Sequence, residues 1–192
     1  MITTDIVIVG GGIIGLSIAR ELNNRHPDLK ITLIEKEATV ACHASGRNSG
    51  VLHAGFYYTP DSLKSRFTVE GNKLLTDYCL KNNLSINRCG KVVVAKDEKE
   101  LDSIFELKRR GDTNGVDLEL IDEKRLEELE PNARTFDKAL YSPTTSVVNP
   151  KEVVGHIADT LKEKVNILFS EKFIKRDDTN TISTNTHKIK FK

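Results

Sequence analysis

Three glycines, Gly10, Gly12 and Gly15, have the spacing G-x-G-x-x-G and directly follow a short apolar run. Gly10 would permit a tight turn, Gly12 the close approach of a pyrophosphate, and Gly15 the close packing of a helix on a strand. Glu35 lies 20 residues after Gly15, the offset at which an acidic residue binds an adenosine ribose. The spacing therefore predicts a dinucleotide site for FAD or NAD, with an ordinary glycine turn and a surface glutamate as the alternative.

A second polar stretch, ACHASGRNSGVLHAG at 41–55, is too poor in large apolar residues to form a core element. Its glycines suit a backbone that turns sharply or approaches a ligand, and its serines, asparagine and arginine supply hydrogen bonds and charge. A helix with an apolar face follows within ten residues, which argues against a linker between independent domains. We interpret the stretch as a cofactor loop rather than a surface loop.

A βαβ unit would position both features. The runs TDIVIV at 4–9 and ITLIE at 31–35 predict strands of a parallel sheet. The helix between them, IIGLSIARELNN, carries Ile14, Ile18 and Leu22 on one face, and Gly15 and Ala19 on a neighbouring stripe that would allow close packing. Strand, helix and strand within about thirty residues imply a right-handed crossover.

Further helices and strands follow the polar loop. A helix after the loop presents one apolar face, made of Leu63, Phe67, Leu74 and Tyr78. Asp97 with Glu100, and Asn149 with Pro150, have the residue types that begin helices. From residue 165 onward, NILFS, KFIKR, TIST and KIKFK predict a meander of four short strands.

Composition excludes several classes of protein. The 192 residues carry 29 basic and 28 acidic side chains, so the net charge of +1 gives no electrostatic argument for binding nucleic acid or an anionic membrane. No apolar run approaches the length of a membrane span, and the N-terminus lacks signal-peptide features. Three cysteines without a CxxC pair predict neither a disulfide framework nor a metal site, and favour a reduced, cytoplasmic protein.

Several segments of the sequence together resemble a known family. VIVGGGIIGLSIAREL with LIEKE, followed by HASGRNSGVLHAGFYYTPDSLKSRFTVEGNKLL, resembles the FAD-dependent oxidoreductases of the D-amino-acid oxidase superfamily. Within that superfamily the sequence is similar to the L-2-hydroxyglutarate oxidase/dehydrogenase group. CGKVVVA, LELIDEKRLEELEP and PTTSVVNPKEVV extend the resemblance along nearly the whole chain.

The resemblance implies an α/β fold in which a Rossmann-like FAD/NAD(P)-binding domain, with a parallel sheet and a β-meander, is interrupted by part of an α+β substrate domain. We place the FAD-binding domain at 1–85 and 145–192, and the partial substrate domain at 86–144. Members of the family continue well past residue 192, so we expect the chain to be an N-terminal fragment.

The resemblance also implies FAD as the cofactor and a set of residues that contact it. Phe173 stands where such proteins place a backbone contact to the adenine, and Arg47 where relatives carry a histidine. The predicted cofactor residues are Gly10, Gly12, Gly15, Glu35, Ser45, Arg47, Asn48, Ser49, Gly50 and Phe173.

The implied reaction is oxidation of a small 2-hydroxy acid, L-2-hydroxyglutarate to 2-oxoglutarate, by hydride transfer to the flavin. His53 is the candidate base, since an imidazole titrates near neutral pH, and a structural histidine is the alternative. Lys64 and Arg66 could attract a dicarboxylate, although they also suit a solvated helix. His43 stands where some flavoproteins of the wider superfamily attach FAD covalently, which the L-2-hydroxyglutarate group does not suggest.

Two other readings stay open from the sequence. One is a related flavin oxidase of amino acids, glycine or glycerol 3-phosphate, and the other is an inactive, truncated FAD-binding remnant. The electron acceptor is left undefined among oxygen, a quinone and a carrier protein. The sequence predicts no nucleic-acid partner and no transmembrane segment, and leaves peripheral membrane contact open.

Overall fold

A computed structural model describes every residue from Met1 to Lys192. The chain divides into two compact units, the first formed by Met1–Ser49 with Asn149–Lys192 and the second by Gly50–Val148. The functional division into a FAD-binding and a substrate domain stays a prediction, because compactness alone assigns no role to either unit.

The chain forms five α-helices and thirteen short strands. The helices are α1 (Ile13–Arg25), α2 (Leu63–Lys81), α3 (Glu98–Thr113), α4 (Glu123–Leu129) and α5 (Pro150–Leu161). The strands are β1 (Ile2–Thr3), β2 (Ile6–Val9), β3 (Ile31–Ile34), β4 (Val51–Leu52), β5 (Ile86–Asn87), β6 (Lys91–Val94), β7 (Glu119–Ile121), β8 (Ala139–Ser142), β9 (Ser146–Val148), β10 (Asn166–Leu168), β11 (Phe173–Arg176), β12 (Thr181–Thr184) and β13 (Lys188–Lys190). The mixed α/β fold class predicted from the sequence is confirmed.

The first unit is built on a parallel sheet in the order β10–β3–β2. Its central strand, β3, is buried along its whole length. In the register of this sheet Val9 and Leu168 both lie opposite Ile34, so the three strands end at one level. The residues that follow these strands therefore meet at one edge, the edge at which open α/β sheets bind ligands.

A second sheet of the same unit contains the meander, in the order β1–β13–β12–β11. The last three strands are antiparallel neighbours, as the turn-rich sequence predicts, and β1 pairs parallel to β13. One element differs from the prediction. NIL at 166–168 does not belong to the meander, because β10 pairs parallel with β3 in the other sheet.

Helix α1 packs on the first unit by the small-residue stripe of Gly15 and Ala19, and not by the apolar face of Ile14 and Ile18. Ile14 and Ile18 are exposed, at 73% and 47%, while Leu16 and Ala19 are fully buried. Gly15 explains the difference, because a Cβ on Gly15 would lie only 2.1 Å from the carbonyl oxygen of Gly10. The helix approaches the backbone at Gly15, and this contact decides which face points inward.

The second unit contains two three-stranded sheets, β4–β9–β5 and β6–β8–β7. Its main core gathers around the buried side chains of Phe56, Ile104 and Leu140. Helix α3 begins where the sequence predicts, since the Asp97 carboxylate accepts a hydrogen bond from the N–H of Glu100.

Candidate cofactor site

The glycine-rich turn connects β2 to α1 at the carboxyl edge of the parallel sheet. Gly10 has a φ of +106°, a conformation that suits glycine, and its N–H donates to the carbonyl of Ile34. Gly12 is the extended N-cap residue of α1 and offers no side-chain oxygen, and the first turn of the helix contains no acidic residue. The first turn of α1 itself thus contributes no carboxylate or capping side chain to its N-terminal N–H groups.

Glu35 follows β3 and closes against this turn. The side chain is 9% exposed, and its two carboxylate oxygens accept hydrogen bonds from the N–H groups of Gly11 (2.7 Å) and Glu37 (3.0 Å). A Cβ on Gly11 would lie 3.1 Å from the Cβ of Glu35, so this close arrangement depends on glycine. A carboxylate has about four acceptor positions, which leaves Glu35 capacity for the hydroxyl groups of a ligand.

The polar loop is an ordered part of the first unit up to Ser49. It contains a 3₁₀ helix at Ala44–Gly46, and a Cβ on Gly46 would lie 2.0 Å from the carbonyl oxygen of Ala41. The hydroxyl of Ser45 accepts a hydrogen bond of 3.0 Å from the N–H of Ile13, in the first turn of α1. Asn48 donates from its side chain to the carbonyls of Ala44 and Ser45, and so holds the 3₁₀ helix.

The remaining polar residues of the loop are less constrained. Arg47 and Ser49 are exposed, and Arg47 forms no ion pair. His43 has a different partner, since its Nε2 lies 2.8 Å from the carboxylate of Glu37. That hydrogen bond is the main cause that lowers the pKa of Glu37.

The start of the meander lies beside Glu35. The N–H of Ser170 donates to the carbonyl of Glu37, and the N–H of Glu171 donates to the carbonyl of Glu35. Phe173, two residues further, begins β11 opposite Thr184 and is 40% exposed. The structure thus brings the predicted adenine segment close to Glu35 through backbone hydrogen bonds.

Sequence reasoning missed a buried polar cluster in this segment. The carboxylate of Glu171 accepts hydrogen bonds from the hydroxyl of Thr186 and from Nδ1 of His187, and its Oε2 is buried without a partner. Burial raises the pKa of Glu171, but hydrogen bonds from Thr184, Thr186 and His187 outweigh burial, so the pKa is lowered overall. No local pattern reveals this cluster, because the β12–β13 turn brings Thr186 and His187 to Glu171 from fifteen residues away or more.

The donors and acceptors of the first unit fit the phosphates and ribose of a dinucleotide. The helix end offers N–H groups to an anion, and Glu35 offers acceptors to hydroxyl groups. The backbone at Gly12 forms a cradle that a side chain would fill, since a Cβ there would lie 3.0 Å from the Ser45 hydroxyl. Of the predicted cofactor residues, the structure brings Gly10, Gly12, Gly15, Glu35 and Ser45 together.

Gly50 and His53 belong to the second unit. Gly50 is buried, has a φ of +70° and accepts a hydrogen bond from the N–H of Val148. Partial burial, and then the positive charge of Lys91, lower the pKa of His53. The backbone carbonyl of His53 accepts a hydrogen bond from Asn72, whereas its ring forms none.

In the same unit, two lysine ammonium groups each lie over a tyrosine ring. The Nζ of Lys91 lies 4.7 Å from the centre of the Tyr57 ring, and that of Lys64 lies 4.4 Å from the Tyr58 ring. Arg66, considered with Lys64 from the sequence, forms an ion pair with Glu70 instead.

None of the five helices is both long and apolar enough to cross a membrane.

Comparisons with known proteins agree with this geometry. The sequence profile of the DAO family, described as FAD dependent oxidoreductase, matches residues 5–190. A protein named mitochondrial L-2-hydroxyglutarate dehydrogenase from Nematostella vectensis is 41% identical over 167 residues, which are 86% of this chain and 36% of that protein. An L-2-hydroxyglutarate dehydrogenase from Escherichia coli (strain K12) is 39% identical over 160 residues, 83% of this chain and 38% of the relative.

Solved structures show the same fold. L-α-Glycerophosphate oxidase from Mycoplasma pneumoniae, reduced and with FAD bound, matches with a TM-score of 0.87 and 27% identity over 98% of this chain and 53% of that one. Glycine oxidase from Geobacillus kaustophilus matches with a TM-score of 0.85 at 20% identity, over 100% of this chain and 54% of that one. The chain thus spans little more than a third of the length of the curated relatives described above.

Proposed function

The chain belongs to the DAO family of FAD-dependent oxidoreductases, and on that premise we propose that it serves the oxidation of L-2-hydroxyglutarate to 2-oxoglutarate. The observation that carries the proposal is the identity of about 40% to relatives named for this substrate, against 27% to the glycerophosphate oxidase. Oxidation of glycine, another amino acid or glycerol 3-phosphate is the second candidate, favoured by the structural likeness alone. An FAD-binding remnant without activity is the third.

We further propose that FAD binds along the first unit. The N–H groups at the start of α1 would hold the pyrophosphate together with the Ser45 hydroxyl, while Glu35 would accept from the adenosine ribose. The backbone at Phe173 would contact the adenine. When bound, FAD supplies the group that accepts hydride from the substrate.

Four further cofactor residues rest on less support. Asn48 would act by holding the loop, and Ser49 and Arg47 would reach the cofactor from their exposed positions. Gly50 would allow the backbone to pass closely through its positive φ. These assignments stay predictions, as do the FAD-binding domain at 1–85 and 145–192 and the substrate domain at 86–144.

His53 is the proposed base. Because partial burial and Lys91 lower its pKa, the neutral form of the imidazole is favoured, and its unprotonated nitrogen can take the proton of a substrate hydroxyl. A ring that forms no hydrogen bond within the chain is free for that task. This feature favours the catalytic role over a structural histidine held by the backbone.

The proposed setting is a reducing one, since Cys42, Cys79 and Cys89 form no disulfide bond. The cytoplasm is the proposed compartment, and it remains to be tested against the mitochondrial names of several relatives. The electron acceptor is proposed only as one of oxygen, a quinone or a carrier protein.

A visible spectrum of the purified chain, before and after addition of FAD, tests the proposal. A yellow protein that bleaches without oxygen on addition of L-2-hydroxyglutarate, and not with glycine or glycerol 3-phosphate, is the expected result. Bleaching by glycine or glycerol 3-phosphate alone would support the second candidate. A protein that takes up FAD but is bleached by none of these substrates would support the inactive remnant, and a protein that takes up no FAD would overturn both enzyme candidates.

A matched pair of variants tests His53. His53→Gln should abolish bleaching while FAD uptake stays unchanged, and His26→Gln, at an exposed position of the first unit, should behave as the parent protein. Equal bleaching by both variants would exclude His53 as the base.

A further inference from the structure

An unpaired positive charge lies beside the proposed base. Lys91 begins β6, is only partly exposed, and holds its ammonium group 4.7 Å above the Tyr57 ring. Backbone contacts bring Lys91 close to His53: Asn72 donates to the carbonyls of both His53 and Thr144, and the N–H of Gly90, the neighbour of Lys91, donates to the carbonyl of Thr145. The charge of Lys91 is accordingly one of the two causes that lower the pKa of the His53 imidazole. The strand fixes the position of Lys91, because its backbone pairs with Ser142 of β8.

Lys91 differs from the other partly buried cations of the second unit because it has no carboxylate partner. Lys108, Arg110 and Lys138 are also partly buried, and each forms an ion pair. Lys91 forms no ion pair with any carboxylate of the chain, and its ammonium group lies over the ring of Tyr57. A partly buried ammonium group without a counter-charge attracts an anion. The nearby imidazole of His53 cannot supply that negative charge, because an imidazole is either neutral or positively charged.

Substrate chemistry identifies the anion. A 2-hydroxy acid carries a carboxylate on the carbon next to the one that is oxidised, so a group that takes the hydroxyl proton must work close to that carboxylate. If His53 takes the proton, a fixed cation near His53 is suitably placed for the carboxylate. Lys64 is less suitable because it is exposed and lies over the other tyrosine.

We propose that Lys91 binds the carboxylate adjacent to the carbinol carbon of the substrate and holds the 2-hydroxyl group at His53. This inference rests on the proposed function. It adds Lys91 as a substrate-binding residue. It also couples substrate binding to the pKa of His53, because a bound carboxylate neutralises Lys91 and so removes one cause of the lowered pKa. Substrate binding therefore makes His53 a stronger base at the moment when it is needed.

Proton NMR of the His53 ring in the full chain measures this coupling without turnover. Adding L-2-hydroxyglutarate should move the His53 titration midpoint upward, whereas the same ionic strength of sodium chloride should not. In Lys91→Met, which keeps an apolar stem on Tyr57, the midpoint should already be higher and the ligand should move it no further. Loss of one charge-assisted contact should weaken binding of the ligand about tenfold or more.

Two variants serve as controls. Lys91→Arg keeps the charge and should preserve both the binding and the midpoint shift, which also covers the case that Lys91→Met fails to fold. Lys64→Met removes the other ammonium that lies over a tyrosine, and should behave as the parent chain.

The outcomes separate the inference from the proposed function. Equal binding of L-2-hydroxyglutarate to the parent chain and to Lys91→Met would overturn the role of Lys91 and leave the proposed substrate intact. Binding of glycerol 3-phosphate with no binding of L-2-hydroxyglutarate would refute the proposed substrate, and the carboxylate assignment with it.

Discussion

Replacement of Gly15 by alanine tests the contact that fixes α1 on the sheet. A Cβ at this position would lie 2.1 Å from the carbonyl oxygen of Gly10, where an ordinary contact is 3.4–4 Å, so helix and turn would have to separate by more than an ångström. The obstructing atom is backbone, which no rotamer change can move aside. We assign the upper end of the usual cost of overpacking, about 3 kcal/mol, and subtract about 1 kcal/mol for the better helix propensity of alanine. The expected net loss of unfolding free energy is about 2 kcal/mol.

Gly155→Ala provides the matched control. Gly155 lies within α5 of the same unit, and a Cβ there would meet nothing within 4 Å. The same substitution should therefore stabilise the protein by about 0.5–1 kcal/mol, which places the two variants about 3 kcal/mol apart. Urea unfolding followed by far-ultraviolet circular dichroism measures the difference, since the chain has no tryptophan. Equal stabilities of the two alanine variants would refute the close approach at Gly15.

Three further substitutions have defined outcomes. Ser45→Ala removes the hydroxyl that accepts from the N–H of Ile13 at the start of α1, and should lower the unfolding free energy by about 1 kcal/mol. Ser49→Ala, at an exposed site, should leave the unfolding free energy unchanged. Urea titration of both variants measures the difference. Asp97→Ala should cost the second unit about 1 kcal/mol through loss of the α3 cap, with Asp97→Asn close to the parent, as measured by thermal unfolding. The Glu171 carboxylate has a lowered pKa, because hydrogen bonds outweigh its burial; its contribution is therefore present above its ordinary pKa of 4.5 and lost as the pH falls through the lowered value. Glu171→Gln should accordingly show a smaller decrease of melting temperature below pH 4.5 than the parent chain, and an unchanged decrease would contradict this account.

Much of the first unit can be predicted from local sequence. The glycine spacing predicts the turn after β2, and the offset of Glu35 places an acid at the end of the neighbouring strand. Both predictions depend on short-range geometry, namely the permissive backbone of glycine and the parallel register of a βαβ unit. The sequence did not predict that Glu35 would use both oxygens to hold the N–H groups of Gly11 and Glu37.

Strand partners are harder to predict than strands. NIL at 166–168 has the same composition as the strands that follow it, but it pairs parallel with β3 and the others pair with one another. Local pattern shows that a segment is extended without showing its partner, since the pairing of β10 joins residues more than 130 positions apart. For the same reason the local sequence does not predict that Lys91 lies near His53, because that position depends on the pairing of β6 with β8.

Helix faces illustrate a third limit, in which periodicity finds an apolar stripe without finding the buried side. In α2 the predicted stripe points outward, with Leu63, Phe67 and Leu74 more than 60% exposed, while Ser65 and Cys79 are buried. Helix α1 shows the same preference, because its buried face follows Gly15 and the small side chain at position 19. In α1 the absence of a side chain at Gly15 allows the close approach to the turn after β2, and in α2 the buried positions are likewise held by the small side chains of Ser65 and Cys79. The α2 stripe consequently forms an apolar surface of a kind that is rare on isolated domains. Because its side chains are exposed, a hydrophobic-to-polar substitution within the stripe should leave the fold intact.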